Sequence, residues 1–93
     1  MKVRVRFSTP DLQIDQTFEG ATADDVVTQM KSAVAGELGF AVKLMVNAMS
    51  PLQFAREVVS RYNETVRKSL PPPSTCQEFI ELGQREGIAE ILP

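Results

Sequence analysis

Ninety-three residues with a formal net charge of −2 suffice for one modest hydrophobic core, and that charge gives no general pull toward nucleic acid or a membrane surface. The chain has no histidine, which removes His-based acid–base and triad chemistry and the commonest metal ligand. Its one cysteine, Cys76, permits no internal disulfide and fits a reducing, cytoplasmic setting. No apolar run approaches the roughly 20 residues that span a bilayer, and the alternating N-terminus lacks a signal-peptide pattern. The expectation is a single small domain over residues 1–93.

Residues 1–8 alternate: Val3, Val5 and Phe7 fall on one side, Lys2, Arg4 and Arg6 on the other. A half-buried strand has that period of two. Thr9, Pro10 and Asp11 supply turn chemistry. Leu12, Ile14 and Phe18 then alternate with Gln13, Asp15, Thr17 and Glu19, which predicts the second strand of a hairpin. Gln16 falls on the apolar side of that strand, a misfit the sequence does not explain. The basic row of Lys2, Arg4 and Arg6, with Arg56 and Arg67 to spare, makes a candidate nucleic-acid face that would track phosphates. The favoured reading is cross-strand pairing with Asp15, Glu19 and Asp11, because no second cluster of aromatics accompanies the row.

Gly20 ends the hairpin. Thr22 is an N-cap with Asp25 at the third helical position, an aspartate form of the capping box. Asp24 and Asp25 suit the positive end of a helix; as neighbours they diverge by about 100° and converge poorly on a metal ion. Val26, Met30, Ala33 and Val34 form the expected buried stripe, with the helix ending at Gly36 or Gly39. A hairpin followed by a capped helix resembles the opening of a ubiquitin-like (β-grasp) domain, over about the first third of the chain. The later sequence departs from that family: it reads mostly helical and ends Ile91-Leu92-Pro93 without paired glycines, so the resemblance implies no modifier role.

Residues 38–49 are the most apolar stretch. Alanine, leucine, methionine and lysine favour a helix, whereas Phe40, Val42, Leu44 and Val46 fall at period two. The helix is preferred, ending near Asn47 or Ala48. More than one side of it is apolar, which suggests either a central core helix or a self-association surface formed by Phe40, Leu44, Met45 and Met49.

Ser50–Leu70 carries the strongest helix signals. Ser50 is the N-cap, Pro51 sits at the first helical position, and Gln53 completes a capping box. Met49 and Phe54 occupy the places of a hydrophobic staple. Leu52, Ala55, Val59, Tyr62 and Val66 form the apolar stripe, widened by Val58 and Leu70. Glu57 precedes Arg61, and Glu64 precedes Lys68, at the i,i+4 spacing; Arg67 and Lys68 suit the last turn before Pro71, Pro72 and Pro73 stop the helix. Three prolines read as a stiff spacer.

Ser74 or Thr75 caps a last helix, with Cys76, Phe79, Ile80 and Leu82 on its buried side. Gly83 allows a neighbour to approach, and Gly87 is a natural residue just past the helix end. Residues 88–92 suit a short third strand or an apolar plug. The acidic last segment is expected to face the basic central helix, within one chain or across a dimer.

No Cys-x-x-Cys, P-loop or dinucleotide-binding glycine pattern is present. The sequence therefore offers no catalytic residue, metal ligand or cofactor-binding residue, and an enzyme is not expected. A lone Cys76 with no histidine partner is a poor nucleophile, although a helix N-terminus can lower a thiol pKa. The overall reading is an α+β fold, an N-terminal hairpin on three or four helices with a short third strand. Its expected role is a non-catalytic, self-associating interaction module, without membrane insertion and with nucleic acid as the weaker alternative.

Overall fold

The computed structural model describes residues 1–8, 13–37 and 40–93, the side chains of 37, 40 and 41 excepted. The expected turn at Thr9, Pro10 and Asp11, with Leu12, and the proposed helix end at Gly39 lie outside the described residues. The fold is α+β, with an antiparallel hairpin of β1 (Lys2–Ser8) and β2 (Gln13–Glu19). Four helices follow: α1 (Ala23–Glu37), α2 (Phe40–Ala48), α3 (Pro51–Val66) and α4 (Cys76–Arg85). Strand β3 (Ala89–Leu92) closes the order, returning antiparallel to β1 to give a sheet ordered β2-β1-β3. The hairpin and capped helix of the β-grasp resemblance are both present, but three further helices intervene before the third strand.

The alternation read from β1 becomes the two faces of this sheet. Val3 and Val5 are buried, as is Phe18 across from Val3. Farther along the same face Phe7 meets Tyr62 of α3, with ring centroids 5.9 Å apart. From the helices, Val26, Val27 and Met30 of α1, Phe54, Ala55 and Val59 of α3, and Phe79, Ile80 and Leu82 of α4 join one continuous apolar cluster. The α1 stripe is rotated slightly from its expected position. Val27 and Ala35 are buried, whereas Ala33 and Val34 are only half-buried against the core.

Local chemistry fixes most element boundaries. The Thr22 hydroxyl accepts from the Asp25 amide, and the Asp25 carboxylate accepts from the Thr22 amide, which closes the box at the start of α1. Ser50 and Gln53 make the same reciprocal pair at α3, with Pro51 just inside. At α4 the Thr75 hydroxyl accepts from the Glu78 amide, while the Glu78 carboxylate reaches one residue farther back, to the Ser74 amide. The Gly87 amide donates to the Gln84 carbonyl and the Ile88 amide to the Gly83 carbonyl, a Schellman ending with Gly87 at φ +76°. This turn delivers the chain into β3 beside α4. A Cβ on Gly83 would stand 3.0 Å from the Ala89 Cβ, so the expected close approach at Gly83 is made to β3.

Helix α3 ends earlier than the proline rule predicts. Arg67 adopts the left-handed conformation at φ 57°, and its amide and that of Lys68 both donate to the Asn63 carbonyl. The Asn63 side chain then holds both the amide and the carbonyl of Leu70. One asparagine therefore satisfies the groups that a longer helix would have used, and residues 67–70 leave as a folded-back turn.

The acidic tail and basic helix do meet within one chain. Glu86 accepts from Lys68 Nζ at 2.6 Å and from the Tyr62 hydroxyl at 2.9 Å. Lys68, then Tyr62, hold the Glu86 carboxyl below its ordinary range. The same carboxylate raises Lys68, while burial first and Glu86 second raise Tyr62. A lowered carboxyl contributes stability above its unfolded pKa and loses it as pH falls through the folded value. Raised Lys68 and Tyr62 contribute below their unfolded values and lose it as pH rises through the folded ones. The contribution of this trio should be level from about pH 5 to about pH 10 and decline on both sides. Urea midpoints followed below about pH 5 and above about pH 10 should show both limbs in the native chain and weaker ones in Glu86→Gln.

Candidate surface on the second helix

Helix α2 is held down at few points. Val46 is buried at 8 % exposure and Met49 is half-buried against the core. Lys31 of α1 donates to the Met49 carbonyl at 2.8 Å, which places a cation at the end of α2 where its dipole is negative. The rest of the helix is wet. Val42, Leu44 and Met45 are 46 %, 56 % and 64 % exposed. At 100° per residue, Leu44, Ala48, Met45 and Val42 follow one another round an arc of about 160°. Beside this arc Met45, Ala48 and Met49 meet Gln53, Arg56 and Glu57 of α3 to line an open depression of about 390 Å³.

The sequence-derived contact set therefore divides. Leu44 and Met45 stand in solvent, and Met49 lies at the joint between α2 and the core. Phe40 begins α2, and its side chain is outside the described residues. Val42 and Ala48 belong with the exposed set although the sequence reading passed over them. The period-two pattern had hidden their place on the helical arc.

The basic row is placed differently. Arg4 and Arg6 both lean toward Asp15, at 3.5 and 3.7 Å, and Lys2 lies opposite Glu19 in the strand register. Asp11, the third acid expected to pair with the row, is outside the described residues. Exposed pairs of this kind contribute little to stability, and here they balance the charge of the sheet's outer face. Arg56 donates to the Pro73 carbonyl at 2.9 Å, and Arg67 terminates α3. The structure brings Lys2, Arg4 and Arg6 into one row, while Arg56 and Arg67 belong to α3 and its end.

Cys76 opens α4 but is 3 % exposed. Burial, with Asp24 nearby, pushes its thiol up to about 11, so at neutral pH it is protonated and a weak nucleophile. Among the described residues no group of three or more His, Cys, Asp or Glu side chains is arranged to hold a metal ion. No described helix is long and apolar enough to cross a membrane.

In comparisons with known proteins, the chain matches no family model, no curated protein and no solved structure. The surface must therefore be read from its own chemistry.

Proposed function

We propose that this chain is a small, non-catalytic protein–protein interaction or regulatory module of the cytoplasm, self-associating as a homodimer through α2. The observation that carries this reading is the exposure of Leu44 and Met45 on a helix whose neighbouring residue Val46 is buried. A helix anchored in the core that turns leucine, methionine and valine outward offers a contiguous apolar patch, the kind of surface that marks an interaction site. Arg56 and Glu57 supply a polar rim of both signs beside the Met45–Met49 depression, the arrangement of an apolar contact centre with a charged edge.

Sedimentation equilibrium tests the reading. The native chain should sediment as a dimer at high micromolar concentration, and Leu44→Glu combined with Met45→Glu should be monomeric. Both side chains are already wet in the single chain, so at concentrations where both are monomeric the variant should keep its unfolding free energy within about 0.5 kcal/mol of the parent. A native chain that stays monomeric at high micromolar concentration counts against the proposal.

A further inference from the structure

Strand β2 lies at one edge of the sheet, and its backbone there is only partly satisfied. Met1 and Gly20 exchange both backbone hydrogen bonds, so by antiparallel alternation Val3·Phe18, Val5·Gln16 and Phe7·Ile14 are the bonded pairs. The Arg6 amide, donating to Ile88 on the opposite side of β1, agrees with that alternation. Gln13, Asp15, Thr17 and Glu19 therefore direct their amides and carbonyls away from β1. At Glu19 the chain supplies its own partner: the Gln29 side chain of α1 accepts from the Glu19 amide and donates to its carbonyl, imitating a strand. Among the described residues nothing serves the outward groups of Asp15 and Thr17. Gln16 between them is exposed, although it lies on the face that Phe18 and Ile14 share with the core. The register with β1 runs unbroken from Ser8·Gln13 to Lys2·Glu19, and no bulge, proline or lysine within β2 guards the edge.

Charge decides what this edge accepts. From Phe7 to Met30 the sequence holds Asp11, Asp15, Glu19, Asp24 and Asp25, and no lysine or arginine. Asp15 and Glu19 are exposed on the outer face of β2, and Asp25 lies one turn before Gln29 on α1. Arg4 and Arg6 approach Asp15 from β1, at 3.5 and 3.7 Å, and leave its side chain 64 % exposed. Glu19 makes no ion pair among the described residues. A second copy of β2 would bring these carboxylates together, which is destabilising. We propose that the β2 edge receives an extended basic segment of another protein as an added antiparallel strand. Bonded to Asp15 and Thr17, such a strand sets residues two apart opposite Asp15, Thr17 and Glu19, all on the outer face. Lysine or arginine at those alternate positions meets Asp15 and Glu19, while the main chain supplies the bonds that Asp15 and Thr17 lack. The ladder stops at Glu19, whose backbone Gln29 holds and whose carboxylate is still open to a cation. The occupant is a different molecule, so this site leaves association through α2 unaffected.

The probe is an acetylated, amidated seven-residue peptide with lysine at every second position and valine or threonine between, read by titration and by amide hydrogen exchange. Binding should slow exchange at the Asp15 and Thr17 amides by about tenfold or more, and the same peptide with glutamate for lysine should not bind. N-methylation of the central lysine amides, which face β2, should abolish binding; N-methylation of the residues between them, which face away, should leave it intact. Glu19 is exposed, so Glu19→Gln should fold and should weaken the lysine peptide about two- to fivefold. Leu44→Glu/Met45→Glu should bind the peptide as the native chain does, which separates this contact from the α2 reading. The proposal is overturned by an absence of binding, by binding that leaves exchange at Asp15 and Thr17 unchanged, or by equal losses from the two N-methylations. Protection of those amides that rises with protein concentration in the absence of peptide also overturns it, because a second copy would then hold the edge.

Discussion

Phe54→Ala should cost about 3–5 kcal/mol of folding stability, the range for deleting a buried aromatic side chain. A domain of this size typically has about 5–15 kcal/mol in total, so the variant should be close to unfolding at room temperature. Phe54 is 3 % exposed and follows the Ser50 cap by one turn, its amide donating to the Ser50 carbonyl. It belongs to the cluster that joins α3 to α1, α4 and the sheet, so its loss leaves a void that those elements share. Phe54→Leu, which keeps most of the volume, should cost less. Val66→Ala supplies the contrast. The periodic stripe puts Val66 with Val59, but Val66 is 39 % exposed and its truncation should stay within about 0.5 kcal/mol. Urea unfolding with a shifted midpoint and an unchanged slope would confirm a packing effect for Phe54. Equal losses at Phe54 and Val66 would contradict the core described above.

The contrast between these residues marks what the sequence could and could not reveal. Elements fixed by adjacent chemistry were legible: the alternation of β1, the boxes at Thr22 and Ser50, the Thr75 cap and the Gly87 ending all lie within a few residues of what they control. The end of α3 was not, because it depends on Asn63 reaching seven residues ahead to Leu70. Helix α2 was ambiguous for a related reason. Its apolar residues fit two periods, and only packing selects Val46 as the buried one. Strand order was likewise set at long range, since β3 reaches β1 by way of the α4 ending and the Gly83–Ala89 contact. Of the candidate surface, the apolar character of residues 40–49 was visible in composition, but its exposure was not. Gln16 was conspicuous in the sequence and intelligible only once β2 was found at an edge.

Gly20→Ala should destabilise the fold by about 2–3 kcal/mol, against the usual sign of such a change. Replacing glycine by alanine in a compatible backbone normally gains about 0.4–1 kcal/mol, because the unfolded chain loses freedom. Gly20 has no left-handed backbone to forbid alanine, so conformation alone predicts that gain. Packing reverses it. A Cβ at Gly20 would lie 2.6 Å from the Asp25 Cβ, 3.1 Å from the Val26 amide nitrogen and 3.2 Å from the Asp25 carbonyl carbon. These are atoms at the root of a side chain and in the backbone of α1, so no rotamer change relieves the overlap. Relief requires moving the first turn of α1, where Asp25 closes the box with Thr22 and Val26 is fully buried. It would also pull on the paired hydrogen bonds between Gly20 and Met1 that start the β1–β2 ladder. Truncating the side chain in Asp25→Gly should recover only part of the loss, because the Val26 nitrogen remains in the way. Gly36→Ala is the control: nothing lies within 4 Å of a Cβ there, and it sits inside α1, so it should stabilise by about 0.5–1 kcal/mol. Opposite signs for the two substitutions in urea unfolding are the expected result, and a stabilising Gly20→Ala would overturn the close packing of β2 on α1.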